Sequence, residues 1–289
     1  MKTYLLKFII LVFWGISLVE QVYPQSSASD SLFHPYKVNY WVTAPIIGVG
    51  LVTNYIGIPL TQNKDELTPL EIEALKRERE ILNGFDSWAL KQDPSQIDVF
   101  EKYSDYTLMT GVVLPALLLF DKQIRKDWSD VLLIYLETMS ITPNIYEWSF
   151  LGPAFQNRIR PVAYYDQLTF DQKKAGNNRN SFYSGHVASV AASTFFMAKV
   201  FSDYHPEIGA YEYLLYAAAT IPPLVLGYFR VKALKHFPSD VIVGLAVGAF
   251  CGIIIPEFHR LSEEDIKLGL YSNSEAIGIT LNWQPNILK

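Results

Sequence analysis

Apolar runs alternate with polar stretches along the chain, and six such runs follow residue 37. They are Val38–Leu60, Tyr106–Phe120, Val131–Trp148, Val187–Phe201, Tyr213–Phe229 and Val241–Phe258. A bilayer span needs about 20 apolar residues, and several runs are shorter. Trp128, Trp148 and Tyr213 flank the runs, as in the aromatic belts of membrane proteins. The pattern predicts an all-α, multi-pass transmembrane helical bundle; the alternative is a soluble helical core.

The first and last runs contain residues that affect how a helix continues and packs. The first is interrupted by Pro45, Gly48, Gly50, Gly57 and Pro59. These residues predict that it lies in the membrane interface or re-enters, rather than spanning. The last run carries glycines at a spacing of four, namely Gly244, Gly248 and Gly252. Such a stripe lets two helices approach closely.

The N-terminal residues follow the pattern of a secretory signal. A basic start precedes the apolar run Phe8–Val19, and the polar stretch that follows holds Ser26 and Ala28 at the spacing of a cleavage site. The segment is either a cleaved signal or a retained anchor. In both cases the chain is directed to or across a membrane.

The remaining polar segments define four regions. Leucines and charges at helical spacing over Leu67–Leu82 predict an amphipathic helix that begins at Thr68-Pro69 and ends by Gly84. Alternating residues over Ile277–Trp283 predict a strand. The regions are 1–28, a signal peptide or anchor; 29–105, an N-terminal region with an apolar segment and the amphipathic helix; 106–260, the core; and 261–289, a C-terminal tail.

Composition excludes several classes of protein. Half of the residues are apolar and 18% are charged, which excludes a disordered chain. A net charge of −5 provides no basic surface for nucleic acid. The single cysteine, Cys251, excludes an internal disulfide. The histidines His34, His205 and His259 are scattered singly, so we expect no metal and no cofactor, and we infer no obligate protein partner.

Candidate chemistry is densest in the segment from Arg230 to Asp240. His236 follows Arg230 by six residues, and Asp240 follows His236 by four. Pro238 suits the first turn of a helix, which places His236 just before that turn and Asp240 inside it. The carboxylate can then accept the Nδ1 proton and leave Nε2 free as a base or nucleophile. Arg230 adds a planar fork for a phosphate or oxyanion. The alternative is a helix cap with an interfacial imidazole.

Two further segments suit anion binding. Ser184-Gly185 precedes an apolar run, so its backbone N–H groups and helix dipole favour a negative charge, and His186 adds an acid or base. Alone, Ser184 is typical of a plain N-cap. Arg158 and Arg160 stand before Pro161 and form either a phosphate clamp or a basic pair at the membrane surface.

Together these segments resemble the type 2 phosphatidic acid phosphatases, relatives of bacterial class A acid phosphatases and vanadium haloperoxidases. The family motifs read Lys-x6-Arg-Pro, Pro-Ser-Gly-His and Ser-Arg-x5-His-x3-Asp. The matching residues are Arg160-Pro161; Ser184, Gly185 and His186; and Arg230, His236 and Asp240. The resemblance covers about Trp148 to Phe258. It implies a membrane-bound, metal-independent phosphatase with all three motifs at one membrane face.

The resemblance also implies a role for each residue. His236 attacks phosphorus, Asp240 holds its tautomer, and His186 protonates the leaving alcohol and then activates water. The oxygens of the phosphoryl group are stabilised by Arg160, Arg230, Ser184 and the Gly185 N–H. The implied substrate is a lipid phosphate or polyprenyl pyrophosphate. Alternatives are a soluble periplasmic acid phosphatase and a catalytically weak phospholipid-binding relative.

Three positions depart from the family motifs. Tyr183 replaces a proline, Phe229 replaces a serine, and Pro153 stands at the position of the lysine. The lost lysine removes a phosphate-binding cation, which we expect Arg158 to replace. Treating Val38–Leu60 as non-spanning and retaining the anchor places the motifs on the periplasmic side of a bacterial cell membrane.

Overall fold

The computed structural model describes residues 34–260, 266–272 and 277–283, so the expected signal at 1–28 lies outside the described residues. The α-helices of the described part are α1 Tyr40–Gln62, α2 Pro69–Ile81, α3 Ile97–Val113, α4 Trp128–Trp148, α5 Phe170–Lys173, α6 Gly185–Tyr204, α7 Glu212–Ala219, α8 Ile221–Lys232 and α9 Pro238–Arg260. Short 3-10 helices join them at Asp86–Lys91, Pro94–Gln96, Leu114–Phe120, Ile124–Asp127, Pro161–Tyr164, Gly176–Arg179 and Pro206–Tyr211.

The described core is an all-α transmembrane bundle, as the runs predicted, and each of the six runs is helical. Among the described residues, four helical segments are long and apolar enough to cross a membrane: Tyr40–Gln62, Pro94–Phe120, Pro206–Lys232 and Pro238–Arg260. The outer surface of these segments carries large apolar side chains, such as Trp41 and Phe120, which are 91% and 82% exposed. An exposed apolar surface of this kind suits lipid rather than water, so the soluble alternative is not supported.

The first run differs from the expectation that prolines and glycines would prevent it from spanning. It forms one continuous helix, α1, with Pro45 and Pro59 inside it. Gly50 faces α4, where an added Cβ would lie 2.9 Å from the Cβ of Ser140. Gly57 also faces α4, where an added Cβ would lie 3.1 Å from Nε1 of Trp148. Gly50 and Gly57 therefore mark close packing between two helices rather than a break in one of them.

Helix α6 occupies the centre of the bundle, with most of its side chains buried, and its largest interface is with α9. The expected glycine stripe forms this interface. An added Cβ on Gly244 would lie 2.5 Å from the Ser184 carbonyl oxygen, and one on Gly252 would lie 2.5 Å from the Ala192 carbonyl oxygen. The close approach brings the N-terminal ends of α6 and α9 together.

We expect Gly252→Ala to lower stability, because the added methyl group meets backbone atoms of α6 that cannot move independently. Overpacking of this kind costs about 1–3 kcal/mol. The apparent Tm of the detergent-purified variant should fall by several degrees. Gly48→Ala is the matched control, since an added Cβ there meets no described atom within 4 Å. Equal Tm values for the two variants would contradict close packing at the stripe.

The segment between α1 and α3, residues 63–96, forms a polar cap over the end of the bundle where α6 begins. It contains the predicted amphipathic helix, α2, whose N-cap Thr68 forms a capping box with Glu71. Leu67 and Leu75 of this region pack with Ala163 of the α4–α6 connection. Arg179 of that connection forms an ion pair with Glu71 at 2.7 Å. The cap thereby holds the connection that carries the first motif.

The tail beyond α9 contains two strands, β1 Ile266–Ser272 and β2 Ile277–Trp283. They pair antiparallel, with Ile266 opposite Trp283 and Ser272 opposite Ile277. The predicted strand at Ile277–Trp283 is confirmed. Its partner, β1, was not predicted.

Candidate active site

Backbone hydrogen bonds bring the three motif segments together at the capped end of the bundle. The N–H of Ser184, at the start of α6, donates to the carbonyl of Asp240 in the first turn of α9, at 3.1 Å. The N–H of Val162 donates to the carbonyl of Leu234, just before α9, at 3.1 Å. The α4–α6 connection, α6 and α9 therefore form one site although the segments are far apart in sequence.

His236 sits directly before α9, at the turn that ends α8. That turn is of the Schellman type, with the Lys235 N–H bonded to the Arg230 carbonyl at 3.0 Å. Its left-handed position is filled by Leu234, with φ of 55°, where glycine is the usual residue. The reversal directs the chain back over the last turn of α8. As a result the His236 ring meets the Arg230 side chain.

The His236 ring is buried and held in one tautomer. Nδ1 lies 2.6 Å from the Ser181 carbonyl oxygen, which can only accept, so Nδ1 carries the proton. Nε2 is then unprotonated, and it lies 3.5 Å from an Arg230 nitrogen. Burial and then the charges of Arg230 and Arg160 lower the pKa of His236 well below its usual value. The ring is a neutral imidazole with its lone pair directed into the site.

The structure corrects the direct contact expected between Asp240 and the ring. Its carboxylate lies 3.9 Å from His236 Nδ1, and it accepts instead from the Ser181 hydroxyl at 2.6 Å and the Phe237 N–H at 2.7 Å. The Ser181 carbonyl occupies the position at Nδ1. Asp240 is therefore connected to the ring through Ser181, whose hydroxyl donates to the carboxylate and whose carbonyl accepts from Nδ1.

Arg160 and Arg230 place two buried positive charges beside His236. Their residues are 7% and 4% exposed. Within the described part of the chain, neither guanidinium forms an ion pair, and Arg230 Nε has no hydrogen-bond partner. Arg230 contacts the Ser104 hydroxyl at 3.4 Å, and Arg160 contacts the Asn180 carbonyl at 3.4 Å. Buried cations with so few partners are costly unless an anion binds them.

The second motif faces the same space. Ser184 is the N-cap residue of α6, but its hydroxyl makes no capping bond and has no partner among the described atoms. The plain N-cap interpretation is therefore not supported. The ring of Tyr146 lies 3.2 Å from where a Cβ on Gly185 would stand, so a larger residue would meet that ring. The His186 side chain is 37% exposed and is open to a ligand.

Arg158 is not placed as the expected phosphate ligand. One of its nitrogens pairs with Asp86 at 2.7 Å, and the other contacts Asp240 and the Ser239 hydroxyl. The guanidinium also lies over the Phe237 ring, 4.4 Å from its centre. With its terminal nitrogens engaged by carboxylates, Arg158 joins the cap to α9 instead of reaching into the site.

Asp86, in a 3-10 helix of the cap, was not among the residues singled out from the sequence. It is 2% exposed and accepts the Ser239 N–H at 3.0 Å in the first turn of α9. Burial alone raises the pKa of Asp86, but the bonds from Ser239 and Arg158 outweigh it and lower the pKa below its usual value. A lone aspartate in a polar segment carries no motif, so only the fold reveals its role.

The fold and the site together define an α-helical membrane protein with a buried histidine–arginine site at one end of its bundle. The model of the PAP2 superfamily matches residues 109–263, more than half of the chain. The chain belongs to the PAP2 superfamily, whose members are phosphatases. The resemblance drawn from the three motifs is thereby confirmed.

Two further likenesses were found. The chain resembles the crystal structure of the first transmembrane PAP2-type phosphatidylglycerolphosphate phosphatase from Bacillus subtilis, with 18% identity, a TM-score of 0.41, and coverage of 75% of this chain and 96% of that one. It is also 32% identical over 90 residues to Sulfate transporter 1.1 of Arabidopsis thaliana. That match covers 30% of this chain and 13% of the transporter.

Proposed function

We propose that the protein hydrolyses a phosphate monoester through a phosphohistidine intermediate on His236. The observation that carries the proposal is the buried pair Arg160 and Arg230, which has no carboxylate partner within the described chain and lies beside an unprotonated Nε2. A phosphate group would neutralise both guanidinium groups and place phosphorus next to the nucleophile.

The first step forms a bond between His236 Nε2 and phosphorus and breaks the bond from phosphorus to the leaving oxygen. His186 donates a proton to that oxygen, so the product leaves as an alcohol from a lipid phosphate, or as a monophosphate from a pyrophosphate. In the second step His186 removes a proton from water, and the water oxygen bonds to phosphorus. The bond from phosphorus to Nε2 breaks, which releases inorganic phosphate and restores the free ring. The equatorial oxygens would be held by Arg160, Arg230, the Ser184 hydroxyl and the Gly185 N–H.

The substrate we infer is a lipid phosphate or a polyprenyl pyrophosphate. The site lies at the end of a bundle whose outer surface is apolar, so a phosphate headgroup can reach it while its acyl or prenyl chain stays in the membrane. We further propose a bacterial cell membrane with the site on the periplasmic side, because the connection before α4, at the end of that helix away from the first motif, carries Lys122, Arg125 and Lys126, as cytoplasmic loops do. The regions 1–28, 29–105, 106–260 and 261–289 remain our proposed division of the chain.

Phosphate release by the detergent-purified protein tests this function. The panel consists of phosphatidic acid, phosphatidylglycerophosphate, a polyprenyl pyrophosphate, a lipid A phosphate and a short-chain soluble phosphate ester. We expect release from at least one lipid and none from the corresponding phosphodiester. Binding of these lipids without release would instead support a phospholipid-binding protein.

We expect activity to survive EDTA and to be inhibited by vanadate. The proposed mechanism uses a histidine nucleophile and arginine cations, and vanadate adopts the five-coordinate geometry that they would hold. The measurement is phosphate release before and after chelation, and across a vanadate titration. Loss of activity in EDTA that returns with a divalent metal would contradict the mechanism.

A further inference from the structure

Lys235 is a third cation at the site, and neither the motifs nor the resemblance singled it out. It directly precedes His236 in the turn that ends α8. Its ammonium group lies 2.9 Å from Glu101 Oε1 of α3, and its side chain is 22% exposed. It is therefore neither buried in the protein nor free in solvent, but held at the opening of the site.

The face of α3 that holds Lys235 also borders the catalytic groups. Ser104 contacts Arg230 at 3.4 Å, and Asp105 lies 4.0 Å from His186 Nε2. Glu101 stands one helical turn before Asp105, so both carboxylates are on one side of α3. The pair Lys235–Glu101 consequently faces the space enclosed by Arg230 and His186.

The charges around Lys235 favour replacement of Glu101, the partner of its ammonium group, by a bound anion. Burial lowers the pKa of Lys235, the contact with Glu101 opposes that shift, and the charges of Arg160 and Arg230 add to it. Lys235 thus lies in the positive field of the arginine pair while an acidic side chain occupies its ammonium group. A phosphate dianion bound between the arginines offers the ammonium group a second, stronger acceptor.

We propose that Lys235 is a phosphate-binding residue, and that Glu101 holds its ammonium group at the opening until phosphate displaces the carboxylate. The proposal rests on the proposed function, since it concerns the same site. It assigns to Lys235 the role that the sequence had led us to expect of Arg158. Glu101 then competes with the substrate for this cation.

Orthovanadate binding to purified protein tests the proposal directly, by calorimetry and without turnover. Lys235→Met should weaken binding about 10-fold or more, because one charge-assisted contact is lost. Lys235→Arg should stay within about 3-fold of wild type, since the charge is kept. Glu101→Gln should tighten binding about 3-fold by releasing the ammonium group. If Lys235 were purely structural, Lys235→Met and Glu101→Gln would not change vanadate affinity in opposite directions.

Lys232→Met is the matched control, because Lys232 is three residues away and its ammonium group lies over the Tyr228 ring, 5.7 Å from its centre. Its vanadate affinity should match wild type. If Lys235→Met also matches wild type while wild type releases phosphate from its substrate, the role of Lys235 is overturned and the proposed function stands. If wild type binds vanadate but releases no phosphate from any substrate, the proposed function fails. The vanadate affinity of Lys235→Met relative to wild type then still shows whether Lys235 binds the anion.

Discussion

His236→Ala is expected to abolish phosphate release, with a loss of about 10³-fold or more. The imidazole supplies the electron pair that forms the bond to phosphorus, because its Nδ1 proton is held by the Ser181 carbonyl and its free Nε2 lies beside Arg230. The measurement is kcat/KM on a short-chain soluble substrate, so that membrane binding does not limit the rate. The fold should persist, which a thermal unfolding curve can show.

His186→Ala should behave differently from His236→Ala although both lose activity. With an aryl phosphate, whose leaving group needs no proton, loss of His186 slows only the hydrolysis of the intermediate, so labelled phosphate should accumulate on the protein as an acid-labile adduct. His34→Ala is the control, because that side chain is half exposed and pairs with Asp127 instead of a motif residue. Near-normal turnover by His236→Ala would rule out a phosphohistidine at this position.

Arg158→Leu is expected to lower both stability and activity by large amounts. The substitution leaves Asp86 and Asp240 buried without their shared cation, with side chains 3% and 0% exposed. Removing one partner of a buried ion pair costs about 3–5 kcal/mol. Activity should fall as well, because Asp240 positions Ser181, whose carbonyl holds the His236 ring. The free energy of unfolding in denaturant and kcat measure the two effects.

Arg79→Leu is the matched control for a surface arginine. Its partner, Asp166, is 3.7 Å away, and both side chains are largely exposed, so we expect a change of at most about 0.5 kcal/mol. A stable Arg158→Leu variant with weakened vanadate affinity would support the original expectation that Arg158 binds phosphate. A stable variant with unchanged vanadate affinity and unchanged kcat would contradict both roles.

The bundle could be predicted because a helix that crosses a membrane needs a long run of apolar residues, which is visible in the sequence. All six runs are helices, and the boundaries at Thr68, Gly185 and Pro238 follow from capping and proline rules. The first run was misjudged because proline and glycine have two meanings in a helix. They weaken it in isolation, yet small residues favour close packing once a neighbour is present, and the neighbour of Gly50 is Ser140 of α4.

The proposed site could be predicted as a set of residue types but not as a set of contacts. His236, His186, Arg160 and Arg230 are recognisable from their spacing, and the structure places Arg160, Arg230 and His236 in one space. Spacing alone could not show that Asp240 bonds to Ser181 instead of the His236 ring. The arrangement depends on the backbone carbonyl of Ser181, which holds the Nδ1 position of the ring and lies 55 residues before His236 in the sequence.

The amino-acid order by itself determined that the apolar runs are helical, that the chain enters a membrane, and which three motifs mark the family. These features depend on local preference and on hydrophobicity, which act over one helical turn or one run. Tertiary structure alone decided which cation has which partner. Arg158 is paired by Asp86 from the cap, Lys235 is held by Glu101 from α3, and the arginine pair has no carboxylate within the described chain. The partners of a charge come from segments that are remote in sequence, so its role is settled only when the chain packs.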